Sequence, residues 1–137
     1  MRAVVRLPAA VAALALAGCT ASSEMLASQQ AEAQKELASA LGARVAGKPR
    51  DCIPVNDSDG PQIIDDHTIL YKPLGHTVWR NDLVSSCPGL RPYTTLIVEV
   101  NGSQICRNDR FRAIDPGASI PGAYCMFGKF TPYEKAK

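Results

Sequence analysis

Residues 94–107, TTLIVEVNGSQICR, place β-branched and aliphatic side chains on both sides of an Asn-Gly pair. Branched side chains are stiff at χ1 and fit a pleated surface. Asn-Gly accepts the positive φ values that a two-residue type I′ turn requires. The spacing predicts a β-hairpin with Asn101 and Gly102 at its corner, pairing Val100 with Ser103, Val98 with Ile105 and Ile97 with Cys106. Alternation then puts Leu96, Val98, Val100 and Ile105 on the core face. Cys106 falls on the other face, beside Ile97 and Gln104, and would need its partner from outside it.

Working outward, the same character continues on both sides. Thr68–Tyr71 and Thr77–Arg80 flank KPLGH, a Pro/Gly turn, and predict a second hairpin. Cys52–Val55 reads as a first strand, placed at an edge by Pro54, whereas NDSDGPQ and SSCPGLRP read as loops. RFRAI and GAYCMFGKF supply the last strands across the turn-rich DPGASIPG. Short strands with turns every ~8–12 residues indicate a mainly β domain over 50–137, a small disulfide-stapled barrel or sandwich.

The chain has 137 residues and five cysteines. Cys52, Cys87, Cys106 and Cys125 lie in the β segment, and an even set in an oxidising compartment reads as two disulfides. None forms a C-x-x-C pair and the histidines lie far from them, which disfavours zinc. Three connectivities are open. The favoured one pairs Cys52 with Cys125, first strand to last, and Cys87 with Cys106.

Thr20–Gly47 is a different block, rich in Ala, Glu, Gln, Leu and Lys and free of proline, and it predicts a helix. Ser22 or Ser23 can cap its start with Glu24 near the positive end of the dipole. Gly42, Gly47 and Pro49 stop it. Leu26, Ala33, Leu37 and Leu41 form a thin apolar stripe. A solvated spacer is the favoured reading, with packing on the domain or a partner as the other.

The first residues explain the odd cysteine. Arg2 and Arg6 precede the apolar run Leu7–Ala17, which is too short to span a membrane and reads as a secretory signal. Leu16-Ala17-Gly18-Cys19 resembles the lipobox of bacterial lipoproteins. That resemblance implies cleavage after Gly18, a diacylglyceryl group (palmitate-type chains) on the Cys19 thiol and an acylated new amine. Two or three acyl chains anchor a protein stably where one does not. The expected organisation is signal peptide 1–18, lipidated N-terminus and helical tether 19–49, and β domain 50–137. The expected location is the cell envelope. Thr20, in place of an aspartate after the cysteine, favours the outer membrane facing the periplasm if the source is Gram-negative. Loss of Arg2 and Arg6 lowers the basic count from 15 to 13, equal to the 13 acidic residues. The mature chain is formally neutral, which argues against a nucleic-acid partner.

Four constellations are candidate sites. In VNDSDGPQIIDD, Asp57, Asp59, Gly60 and Asp66 match positions 3, 5, 6 and 12 of a calcium loop, but Val55 occupies position 1 and offers no ligand. These are weak metal candidates, since the same residues serve turns. Arg107, Arg110 and Arg112 form a candidate ligand patch, with Arg110 and Arg112 on one strand face, able to clasp a carboxylate or phosphate or to pair with neighbouring acids. His67, beside Asp65 and Asp66, and His76 lack a third ligand or nucleophile. Trp79, Tyr71 and Tyr93 could line a sugar or peptide site, although a lone tryptophan more often anchors a core. No nucleotide, zinc-protease or nucleophile-elbow motif occurs, so no catalytic residue and no cofactor is assigned.

DCIPV, DDHTILY, CPGL, ICRNDRF and YCMFGKF together resemble an uncharacterised family of small cysteine-containing bacterial lipoproteins, over Asp51–Phe130. The resemblance implies the domain limits and the four-cysteine frame, and transfers no functional residue. The expected function is a non-enzymatic, membrane-anchored envelope lipoprotein, anchored through Cys19 and binding an envelope protein or a cell-wall component. The alternative is a small-ligand or metal-ion-binding periplasmic module.

Overall fold

A computed structural model describes residues 17–55, 58–73 and 75–137. One α-helix, α1 (Ala17–Leu41), precedes ten strands. They are β1 (Arg44–Ala46), β2 (Cys52–Pro54), β3 (Ser58–Ile63), β4 (Thr68–Pro73), β5 (Val78–Asp82), β6 (Thr95–Val98), β7 (Gln104–Cys106), β8 (Arg110–Ile114), β9 (Tyr124–Met126) and β10 (Phe130–Lys135). They form three antiparallel sheets of order β1-β10-β5-β4-β3, β2-β7 and β6-β8-β9. The sheets do not close on one another. A sandwich-like fold results, and of the two expected architectures it is the barrel that fails.

The chain divides into two units, Met1–Glu32 and Ala33–Lys137. In the first, the described side chains, 22–32, are exposed. The second contains the rest of α1. There Leu37 is buried against Ile64, Leu70 and Val78, with Ala33, Ala40 and Leu41 around it. Gln62 Nε2 donates to Glu36 Oε1 at 2.8 Å on the same contact. The spacer expectation is therefore corrected for Ala33–Leu41, which covers one face of the large sheet. β1 also lies ahead of Arg50 and pairs with β10, so the compact unit reaches back into the segment expected to be tether. Helix α1 already includes Ala17, the first described residue, so Ser22 and Ser23 lie inside it rather than at its cap. Its end is set by Gly42, at φ +58°. The Gly42 N–H donates to the Ala38 carbonyl at 2.9 Å, a left-handed stop that residues with a Cβ adopt poorly.

The run Ile69-Leu70-Tyr71 is apolar throughout because β4 is covered on both faces. Leu70 joins the helix side, and Ile69 and Tyr71 join the main core with Ile53, Ile105, Phe111, Phe127 and Phe130. Phe111 and Phe127 stack with centroids 4.5 Å apart, and Phe130 lies 5.9 Å from Phe127. Fully buried Asn81 ties β5 to the β9–β10 turn: its Nδ2 donates to the Gly128 carbonyl at 2.9 Å, and its Oδ1 accepts from the Gly128 N–H at 3.0 Å. A Cβ on Gly128 would collide with the Asp82 carbonyl oxygen. Only glycine fits there.

Three sequence expectations change. The hairpin at KPLGH forms, with Tyr71 opposite Trp79, but the one at Asn101-Gly102 does not. β6 pairs with β8, Val98 opposite Phe111, and β7 pairs with β2. The Asn-Gly segment instead crosses between two sheets, and Val100 is exposed. A four-residue ladder with RFRAI, backed by Phe111 in the core, outweighs the local turn preference. Second, NDSDGPQ is not wholly loop, because Ser58–Ile63 forms an edge strand with a register shift between Ser58 and Pro61. Its turn-forming composition hid it, and an edge is where Pro61 is tolerated. Third, the disulfides are Cys52–Cys106 and Cys87–Cys125, with Cα–Cα distances of 4.0 and 5.6 Å. They replace the expected Cys52–Cys125 and Cys87–Cys106 pairs. Once β7 leaves β6 for β2, Cys106 stands directly opposite Cys52, within the short reach that a disulfide permits.

Candidate functional site

Alternation along β6, β8 and β9 sorts their residues onto two faces. Leu96, Val98, Phe111, Ala113 and Cys125 face the core. Ile97, Arg110, Arg112, Tyr124 and Met126 face outward, in two rows. Ile97, Arg112 and Tyr124 lie side by side across the three strands, and Glu99, Arg110 and Met126 form the next row. The outward face of an antiparallel sheet with one packed face is ordinarily polar. Here Ile97, Tyr124 and Met126 are 45%, 53% and 41% exposed.

The arginines on this face are held. Arg110 donates from Nε and NH2 to Glu99 Oε2 at 3.1 and 2.8 Å. Arg112 donates from Nε to the Gly122 carbonyl at 2.8 Å and from NH2 to the Pro121 carbonyl at 3.0 Å. Both guanidinium groups lie over the Tyr124 ring, at 4.9 and 5.0 Å from its centroid. The charge of Arg110 is matched by Glu99, whereas among the described residues Arg112 meets neutral carbonyls and the Tyr124 ring but no carboxylate, and leaves the face positive. At the Thr95–Ile114 end, Arg91 bonds both carboxylate oxygens of Asp115 at 3.0 and 2.9 Å, joining two loops. Those loops carry Tyr93, 92% exposed at φ +77°, and Ile120, 81% exposed. The Cys87–Cys125 bridge ties the first of these loops to β9.

Of the expected patch, Arg110 and Arg112 come together, and Arg107 does not. It lies in the β7–β8 connection, off the sheet face, where its N–H donates to the Asp51 carbonyl. Tyr124, Ile97 and Met126 were missed from the sequence. The signal was present in Tyr124-Cys125-Met126, because an inward, bridged cysteine forces both neighbours outward.

The metal candidates do not converge. Asp57 lies outside the described residues. Asp59 is in β3 near its pairing with Pro73, whereas Asp66 is in the turn at the opposite end of the β3–β4 hairpin. The strand between them spans on the order of 15 Å. Asp66 accepts a short hydrogen bond from the Ser86 hydroxyl, and His67 Nε2 lies 3.8 Å from the same carboxylate. The serine donates to the carboxylate rather than to the imidazole, so this is not the contact through which a histidine takes a serine proton. The carbonyl of His76 accepts from Arg44 Nε at 3.2 Å. No cluster of three metal-ligating side chains occurs among the described residues.

The aromatic trio is also dispersed. Tyr71 is buried with an unpartnered hydroxyl, and burial pushes its phenol pKa up. Trp79 packs half-buried at the core edge beneath Arg50, 5.6 Å from its centroid. Cys19 belongs to α1, and Leu16 lies outside the described residues. No helix among the described residues is long and apolar enough to cross a membrane.

No curated protein and no solved structure matches the chain. The model of a family of unknown function, DUF6491, matches residues 1–137, and the chain belongs to that family.

Proposed function

We propose that this protein is a lipid-anchored envelope lipoprotein whose β domain is a non-enzymatic protein-docking module, with the outer face of β6–β8–β9 as the docking surface. The observation that carries the reading is the composition of that face. Tyr, Met, Ile and Arg occupy its centre and Lys and Asp are absent from it, which is the bias of protein interfaces. Arg110 and Arg112 are already ordered by Glu99, by carbonyls and by Tyr124, so docking sacrifices little side-chain freedom. The complementary partner surface is apolar with an acidic group set against Arg112. The anchor rests on Leu16-Ala17-Gly18-Cys19, and the described side chains that follow it, 22–32, are exposed.

Two measurements test this. A photo-crosslinking residue at Met126 in intact envelopes should capture one discrete protein, and Tyr124→Ala should abolish capture without lowering the melting temperature. Equal capture from a probe at exposed Val45, on the other sheet, rejects the surface. Cys19→Ala should release the chain from the membrane or block its processing, and a variant that is still processed and still membrane-bound rejects the anchor.

A further inference from the structure

β6 ends its sheet and, among the described residues, its ladder is with β8 alone. The Glu99 N–H donates to the Arg110 carbonyl at 2.9 Å, and hydrogen-bonded residues alternate in an antiparallel ladder. Thr95, Ile97 and Glu99 therefore turn their backbone groups toward β8. Leu96 and Val98 turn theirs to the open side, where nothing among the described residues pairs with them. Their side chains point inward yet remain only partly buried, packed on the rim of the core.

Sheet edges are ordinarily blunted by proline, lysine, bulges or brevity. β3 has Pro61 and a register shift, and β1 has three residues. The stretch Thr95–Val100 has one charge, no proline and no lysine, and its ladder with β8 is regular.

We propose that the β6 edge is a self-association site at which a second copy of this chain adds its own β6 antiparallel, making one continuous six-stranded sheet. A two-fold axis at Ile97 pairs Leu96 with Val98 of the second copy through the open backbone groups. It also covers the inward side chains that each copy leaves only partly buried. In that register Ile97 faces Ile97, and Glu99 faces Thr95. Centring on Glu99 instead would oppose two carboxylates. The strand is thus complementary to itself, which singles out a second copy over an unrelated peptide. Its short ladder places the contact in the weak, concentration-dependent class. The outer face stays uncovered, so the inference does not depend on the docking proposal.

Sedimentation equilibrium of the full chain carrying Cys19→Ala should show a monomer–dimer equilibrium. Thr95 is exposed, so its variants leave the core intact. Thr95→Lys sets a lysine against Glu99 at two symmetric places and should tighten the dimer roughly 3- to 10-fold at low salt, while Thr95→Glu should weaken it comparably. Ile97→Cys should crosslink to itself under mild oxidation, because non-hydrogen-bonded pairs bring Cα atoms to about 4.5 Å. Met126→Cys, on the far strand, should not. A chain that stays monomeric up to roughly 1 mM overturns the assignment. So does a dimer indifferent to Thr95, or capture of other peptides without self-association.

Discussion

Tyr71 illustrates how one atom records a compromise in this core. Its ring contacts Phe127 and Phe130, with centroids 6.3 and 6.1 Å away, but its hydroxyl finds no partner. A buried hydroxyl without a hydrogen bond costs about 1–3 kcal/mol. Tyr71→Phe keeps the ring and removes that cost, so chemical denaturation should show unchanged or higher stability. Burial also raises the phenol pKa in the folded state. A raised pKa means that the stability contribution is intact below the unfolded value and is lost as pH climbs past it. Wild-type stability should therefore fall above pH ~10, the ordinary phenol pKa. Tyr71→Phe should flatten that fall, and parallel alkaline profiles for the two proteins would contradict the account. Asn81 is the opposite case: buried, but answered at both ends of its amide by Gly128.

At the scale of elements, the second half of α1 behaves as part of the domain. Leu37→Ala should lower stability by about 2–4 kcal/mol, the range for a buried leucine, measurable as a shift in denaturation midpoint at constant slope. Leu26→Ala, at an exposed position of the same helix, should change little. Equal effects would mean that the buried stripe contributes nothing. The helix itself was legible from composition, as were the β4–β5 hairpin and the strands RFRAI and YCM. Which helical residues pack was not, because a stripe of one alanine and three leucines suits both solvent and a thin contact. The Asn101-Gly102 hairpin was misread for a related reason. Turn chemistry is local, whereas the partner of β6 is chosen by the fit of Phe111 and Ala113 beneath Leu96 and Val98.

For the whole molecule, one disulfide reinforces a strand pair and the other bridges a loop to a separate sheet. Cys52–Cys106 joins β2 to β7, and Cys87–Cys125 ties the loop after β5 to β9, at sequence separations of 54 and 38. Loop-closure entropy assigns each roughly 4 kcal/mol. Non-reducing peptide mapping should recover these two pairs, and replacing Cys87 and Cys125 together by alanine should lower stability by up to about 4 kcal/mol. Recovery of Cys52 linked to Cys125 would refute the connectivity. The Cys87–Cys125 bridge also shapes the candidate surface, since it fixes Cys125 inward and thereby presents Tyr124 and Met126.

The sequence by itself determined the mainly β class, the helix that precedes it and the four-cysteine frame. Each rests on propensity, periodicity or counting, which are local properties. Tertiary structure alone decided which cysteines meet, which strand β6 joins and where Arg112, Tyr124, Ile97 and Met126 assemble. Those outcomes depend on competition among distant segments for the same core, and no window of sequence contains all the competitors.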